Sequence, residues 1–429
     1  MNPEYQRKEH TNSYYAATIN EPTSYPELRG RTTSDVCVVG AGFTGVATTL
    51  TLAERGYTVT LVEANRVGWG ASGRNGGQMI NGMSGLRKIA ARYGEGIAGL
   101  VRNLKWRGND IIRERVQKYA IDCDLRDGFV EVATKPRQLA WFEEFAAERE
   151  AEASGFDYEV WDRKTTEDML GTAAFHGGFA CYRDGHLHPL NLCIGEARAA
   201  ESLGARIFEQ SPVTTIRHGV RPRVITAQGE VEADAVVLAG NAYSRLEPKH
   251  LDNLIFPAGS YIIATEPLTQ RLADSINRKN VAVCDLNNVV DYYRLSADRR
   301  LLYGGACNYS GRDPASIRSY ILPRMLTIYP RLKDVRIDYE WGGKIGITLR
   351  RIPVVGRIGS NVYYCQGYSG HGVCPTHVMG EVMADAVAGT MERFDLFADI
   401  KPIRIPGSQW FGNQLVALGM LYFKLKDRL

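Results

Sequence analysis

Between residues 35 and 63 the chain reads DVCVVGAGFTGVATTLTLAERGYTVTLVE, and its apolar positions change period twice. Val36 to Val39 form a continuous apolar run, the mark of a strand covered on both faces. Glycines at 40, 42 and 45 interrupt it, alanine and leucine then recur at helical spacing up to Gly56, and a second β-branched run ends at Glu63. The pattern predicts strand, helix, strand. Near the C-terminus, NVYYCQGYSGHGVCPTHVMGEVMADAVAG predicts a strand, a glycine turn and a helix with Val378, Met379, Val382, Met383 and Ala386 on its apolar side. In between, VTTI and RVITAQGEVEADAVVLAG predict strands preceded by the helix LNLCIGEARAAESLGA. AGSYIIATE and DYYRLSADRRLLYGGA alternate apolar and polar residues, as strands of an antiparallel sheet do.

A chain of 429 residues holds one large or two medium domains, and 44% hydrophobic with 23% charged residues fits a globular protein. The net charge is +4 and the basic residues are scattered, with no stripe that suggests a nucleic-acid surface. Eight cysteines without a CxxC pair read as reduced thiols and predict a cytoplasmic protein. The N-terminal stretch has no apolar core of a signal and reads as a tail over the body; no run of eighteen apolar residues predicts a membrane span. The C-terminal WFGNQLVALGMLYFKLKDRL reads either as a packed helix or as a peripheral membrane contact.

Chemistry enters with the glycines. Gly40, Gly42 and Gly45 between strand and helix suit a tight turn, close approach to a pyrophosphate and packing of helix on strand, with the helix N-terminus facing the phosphates. Glu63, ending the second strand, can bind both ribose hydroxyls and would repel a 2′-phosphate, which disfavours NADP. This unit alone leaves NAD and FAD open. The loop GWGASGRNGGQ, residues 68 to 78, stands where an NAD domain would continue with a helix. The second glycine turn opens another helix, whose dipole suits the negative charge that a reduced flavin gathers. Two turns, one for phosphates and one for a redox ring, favour FAD.

With GASGRNGGQ, GHLHPLNL, VVLAGNAY, DYYRLSADRRLLYGGA and QGYSGHGV in hand, the chain resembles FAD-dependent amine and amino-acid oxidoreductases of the D-amino-acid oxidase and sarcosine oxidase superfamily. The resemblance covers nearly the whole chain and is nearest to branches acting on γ-glutamylputrescine and L-pipecolate. It implies an α/β (α+β) architecture: a Rossmann-like FAD-binding domain (35–85, 185–248 and 346–400) interleaved with an antiparallel-sheet substrate domain (86–184 and 249–345), flanked by a tail (1–34) and a C-terminal helix (401–429). The FAD contacts it implies are Gly40, Gly42, Phe43, Thr44, Gly45, Glu63, Ala64, Arg66, Gly70, Ala71, Ser72, Arg74, Asn75, Gly76, Gly77, Gln78, Val213, Gly240, Gly370, His371, Gly372 and Val373.

It also implies oxidation of an amine carbon to an imine, with water releasing the carbonyl product and oxygen reduced to hydrogen peroxide; a quinone is the alternative acceptor. Only a neutral amine can give up hydride, so aromatic walls are expected to desolvate it. Tyr261, Tyr292, Tyr293 and Trp341 are the aromatics assigned there, with His371, Lys344 and Tyr293 as catalytic candidates. Lys344 would stand near the flavin, with a plain ion pair to Glu340 as the other reading. Arg350 and Arg351 would hold a substrate carboxylate. His186 and His188 lack a third ligand at metal spacing and read as structural residues opening a helix, so no metal is expected. Two departures matter. The segment TLRRIPVVGRIG lacks the cysteine through which sarcosine oxidases bond flavin, so FAD should be non-covalent, and Cys374 stands where those enzymes carry a carboxylate-binding lysine. An NAD-dependent dehydrogenase and a non-catalytic flavin-binding protein are the readings from other classes.

Overall fold

The computed structural model describes residues 9–84, 94–151, 158–407 and 409–426, arranged around two sheets. The first has a parallel core in the order Val362–Gln366, Gly229–Leu238, Gly30–Val39, Val59–Val62 and Arg206–Phe208. Its central residues Val36, Val38, Leu61, Val236 and Val237 are fully buried or nearly so, which explains their continuous rather than alternating apolar character. Val354–Ile358 adds an antiparallel edge beside Val362–Gln366. The strands Thr215–Arg217 and Arg223–Ile225 extend the other strand partner, Gly229–Leu238, as a small meander.

The first strand begins at Gly30, six residues before its apolar run, because Gly229–Leu238 pairs along its whole length, from Gly30↔Gly229 to Val39↔Leu238. The segment before it packs on the body: Ser13 caps the short helix Tyr14–Ala17, and Tyr15 is completely buried.

One face of this sheet carries the helix Phe43–Glu54, which packs against Pro189–Ser202 and Val373–Val387; the latter also packs on Arg107–Lys118. The amphipathic pattern expected for Val373–Val387 is not what the fold uses. Only Glu381 and Val387 fall short of full burial, because neighbouring helices cover both sides. A buried charge cluster joins these helices. Glu196 accepts from Arg115 Nη1 at 3.0 Å and lies 3.1 Å from His377 Nε2, while Arg115 Nη2 donates to Thr51 Oγ1 at 2.8 Å.

The second sheet runs in the order Ile337–Ile347, Phe256–Thr265, Leu301–Asn308, Asp291–Leu295, Ala282–Asp285, Arg126–Ala133, Gly177–His186 and Gln78–Met79, with Tyr158–Trp161 also on Gly177–His186. It is mixed rather than purely antiparallel, since Ala282–Asp285 and Arg126–Ala133 pair in parallel. AGSYIIATE and DYYRLSADRRLLYGGA do form the antiparallel ribbons their alternation predicts. No described helix is long and apolar enough to cross a membrane.

Candidate active site

A cavity of about 1480 Å³ opens between the two sheets, and both glycine turns line it. Gly40 sits at φ +104°, where an L side chain is strained, and a Cβ there would stand 3.0 Å from the Ala239 carbonyl group. A Cβ on Gly45 would lie 1.8 Å from the Gly40 carbonyl oxygen, so the helix can approach its own turn only without a side chain. Thr44 Oγ1 donates to Tyr368 Oη at 2.8 Å, tying the first turn directly to the second. These segments stand more than three hundred residues apart in the chain and meet at one wall.

Glu63 is fixed at that wall by the Ala41 N–H, 2.7 Å from Oε2, and by the Asn65 N–H, 2.9 Å from Oε1. Burial raises its pKa, and these backbone donors partly offset the rise. The Phe43 N–H, expected to be free, donates to Ser72 Oγ at 2.8 Å. Ser72 thereby joins the loop 68–78 to the helix N-terminus. Arg74 lies over the Trp69 ring at 4.3 Å and donates from Nε to the Trp69 carbonyl at 2.8 Å.

Of the expected cofactor contacts, Gly40, Gly42, Phe43, Thr44, Glu63, Ala64, Gly70 to Ser72, Arg74 to Gly76, Gln78, Val213, Gly240 and Gly370 to Val373 line the cavity. Gly45, Arg66 and Gly77 stand outside its lining. Arg66 instead pairs with Glu209 at 2.9 Å and Glu9 at 2.8 Å, pinning the N-terminal segment. Gly77 turns at φ +70° beneath the Leu187 carbonyl.

The expected substrate residues divide. Tyr292 lines the cavity, its Oη 3.2 Å from Ser260 Oγ, whereas Tyr293 faces the opposite core. There Tyr293 stacks on Tyr303 with rings 4° from parallel and lies 2.9 Å from Tyr329 Oη. Neighbouring strand residues point to opposite faces, so one of the two had to be turned away. Tyr261 is buried, donating to Asp313 Oδ1 at 2.8 Å, and Trp341 donates to the Arg74 carbonyl at 3.0 Å; neither belongs to the cavity lining. Lys344 is also outside it, its Nζ 2.6 Å from Asp313, not paired with Glu340. Glu340 accepts the Arg318 N–H at 2.9 Å.

His371 does line the cavity. Its backbone N–H, expected to face a cofactor, donates to the Tyr368 carbonyl at 3.0 Å. Its Nε2 lies 3.1 Å from the Asn81 carbonyl oxygen, which makes Nε2 the protonated nitrogen. Burial lowers the imidazole pKa, leaving it neutral with its lone pair on Nδ1. Arg350 and Arg351 both line the cavity, and neither pairs with a carboxylate among the described residues. Arg350 Nε is buried without a hydrogen-bond partner, and Arg351 Nη2 lies 3.2 Å from Met420 Sδ. His188 caps the helix Pro189–Ser202 by accepting the Asn191 N–H, and His186 Nε2 lies 2.8 Å from the Asn280 carbonyl oxygen.

Several wall residues escaped the sequence reading. Asn241, at φ +48°, accepts the Gly367 N–H at 3.0 Å and so braces the second turn; its place after the VVLAG strand end was the available signal. Arg294, 1% exposed, donates to the carbonyls of Gly76 and Leu187 at 2.8 Å each, anchoring the loop 68–78 to the second sheet. Cys284 and Cys307 flank Tyr292 on the same wall.

The residues fit a flavin dinucleotide. The first glycine turn, a held carboxylate and the second glycine turn line one continuous space, and that space exceeds the roughly 300–1,000 Å³ usual for one ligand. A cofactor and a substrate can share it.

The family model described as DAO, FAD dependent oxidoreductase, matches residues 35–386. γ-Glutamylputrescine oxidoreductase of Escherichia coli strain K12 is 43% identical over 424 residues, spanning 98% of this chain and 99% of that protein. A probable oxidoreductase, OrdL, of Haemophilus influenzae is 40% identical, spanning 98% of each. The crystal structure of glycine oxidase from Geobacillus kaustophilus superposes with a TM-score of 0.70 at 21% identity, covering 87% of this chain and all of that one; at that identity it speaks to the fold.

Proposed function

The chain belongs to the DAO family of FAD dependent oxidoreductases, and from that premise we propose that it oxidises the C–N bond of a γ-glutamylputrescine-like amine whose distal carboxylate is held by Arg350 and Arg351. That it is an FAD-dependent enzyme of amine or amino-acid oxidation follows from the family and the relatives. The substrate and the roles below are our reading.

One observation carries it: Glu63 is the sole acidic residue among the described residues lining the cavity, while the neighbouring guanidiniums of Arg350 and Arg351 there have no carboxylate partner among the described residues. A free diamine, cationic at both ends, would meet no counter-ion on the substrate wall. A substrate with a carboxylate at one end and an amine at the other would find two cations for the first. The second end would lie against Tyr292, Val290 and Ile345 with no carboxylate to keep it charged. An alkylammonium holds its proton to about pH 10 in water, so such a wall favours the neutral amine that the reaction requires.

FAD, when bound, supplies the hydride acceptor. The turn 40–45 with Ser72 would hold the pyrophosphate, Glu63 the ribose, Val213 the adenine, and Gly370 to Val373 the flavin ring. Tyr292 and Ser260 would orient the amine, and His371 Nδ1 offers a proton acceptor at the same wall. Attachment is taken to be non-covalent. Burial raises the pKa of both thiols on the substrate wall, Cys284 and Cys307, which keeps them as poorly nucleophilic thiols.

The test is anaerobic mixing of the yellow protein with γ-glutamylputrescine, putrescine and L-pipecolate. Rapid bleaching by γ-glutamylputrescine and not by putrescine is expected; equal bleaching by putrescine sinks the carboxylate role, and bleaching by L-pipecolate alone moves the substrate to secondary-amine amino acids. Readmitting air or a soluble quinone then separates oxygen, the acceptor favoured here, from quinone. Acid precipitation should leave the yellow colour in solution.

A further inference from the structure

The cavity rim carries a feature that the redox reading leaves unused. The helix Gln409–Lys426 lies against the strand Phe256–Thr265, with Asn413, Val416 and Met420 buried and Met420 reaching the cavity lining. Its other side is apolar too: Trp410 is 63% exposed, Leu415 41%, Leu418 64% and Leu421 53%. Their spacing places them along one face of a helix. A helix apolar on both sides is either covered on both or faces an apolar medium. Leu349 and Ile403 are exposed as well and line the cavity, so the patch continues to the rim.

Charge selects the medium. Residues 401–429 hold five basic residues, Lys401, Arg404, Lys424, Lys426 and Arg428, against Asp427 alone. That net +4 equals the formal charge of the whole chain, so the rest of the protein is balanced and its excess charge falls in the same stretch of sequence as the exposed apolar residues. We propose that the helix Gln409–Lys426 seats the protein on an anionic lipid bilayer, lying in the interface with the cavity rim turned toward it. Exposed aromatics near both ends, Trp410 and Tyr422, suit the headgroup level. A second copy of this chain would bring one positive patch against another. The helix lies on the membrane and does not cross it, in keeping with the absence of a spanning helix among the described residues.

This goes beyond the proposed reaction and does not depend on which amine is oxidised. The full-length flavoprotein is sedimented with vesicles of phosphatidylcholine alone or mixed with phosphatidylglycerol. Binding to the anionic vesicles, weakened by salt and weak on phosphatidylcholine, is expected. Combined Trp410→Ser, Leu418→Ser and Leu421→Ser should lower partitioning about tenfold or more while flavin absorbance is unchanged. If that variant loses its fold, Lys424→Glu with Lys426→Glu tests the charge, and must abolish the preference for phosphatidylglycerol. Failure to sediment with anionic vesicles, or unchanged binding by the folded variants, overturns the proposal. A dimer seen by light scattering that the serine variant dissolves would assign the face to a second copy instead.

Discussion

Asp285 closes the strand Ala282–Asp285 beneath a loop whose Asn288 and Val290 form cavity wall. Burial, with Asp291 close by, raises its pKa to about 7, against an ordinary value near 4. The folded protein therefore keeps the proton longer than the unfolded chain does. The resulting stability is complete below about pH 4 and is lost as pH rises through about 7, at up to about 1.4 kcal/mol per pH unit. Asp285→Asn, which fixes a neutral group, should match the parent in denaturant unfolding near pH 4 and exceed it at pH 8; a variant less stable at pH 8 contradicts the assignment. At this scale the sequence was legible where a motif fixes a position, as with Glu63, which follows a β-branched strand and reaches the cavity wall. It was not legible where a face had to be chosen. Tyr292 and Tyr293 are identical in type, and only the register of Asp291–Leu295 against Leu301–Asn308 decides which meets the cavity. Lys344 illustrates the same limit: its partner Asp313 stands 31 residues away in sequence, whereas strand spacing suggests Glu340.

At the scale of elements, the two glycine turns were readable because each sits where the hydrophobic period switches from strand to helix. How their helices meet was not. Gly380, inside Val373–Val387, would place a Cβ 2.7 Å from Ala47 Cβ and 3.0 Å from the Thr48 nitrogen on the helix Phe43–Glu54. Within a helix such a glycine reads as a weak spot; here it is a point of close contact between the helices that carry both turns. Gly380→Val must push them apart. Overpacking of this kind costs about 1–3 kcal/mol, and because Thr44 and Tyr368 bridge the turns, the cavity wall should open with it. The expected result is a folded protein that purifies with little flavin, read from visible absorbance per protein. Full flavin content with unchanged unfolding would mean that the contact does not set the wall. The helices and strands between 94 and 186 were the least legible, because the parallel pairing of Arg126–Ala133 with Ala282–Asp285 joins segments about 150 residues apart and leaves no local signal.

For the whole molecule, the cavity is what the two sheets have in common. Its lining runs from Val39 to Met420 and draws on both, so neither sheet holds a cofactor alone. Across the cleft the protein's own ties include Arg294 to the Gly76 carbonyl, Trp341 to the Arg74 carbonyl, and Lys344 N–H to Tyr243 Oη at 2.8 Å. A ligand that binds only the folded form and touches both sides adds its binding free energy to both, about 4 kcal/mol at a thousandfold excess over Kd. The thermal midpoint of flavin-stripped protein should therefore rise with the logarithm of FAD concentration, and far-UV and tryptophan signals should merge into a single transition as it does. NAD, which shares the adenosine and pyrophosphate but has no ring for the turn at Gly370 to Val373, should give a much smaller shift at equal concentration. Equal shifts by NAD and FAD would mean that the second glycine turn contributes nothing to cofactor binding, and the division of labour between the two turns would fail.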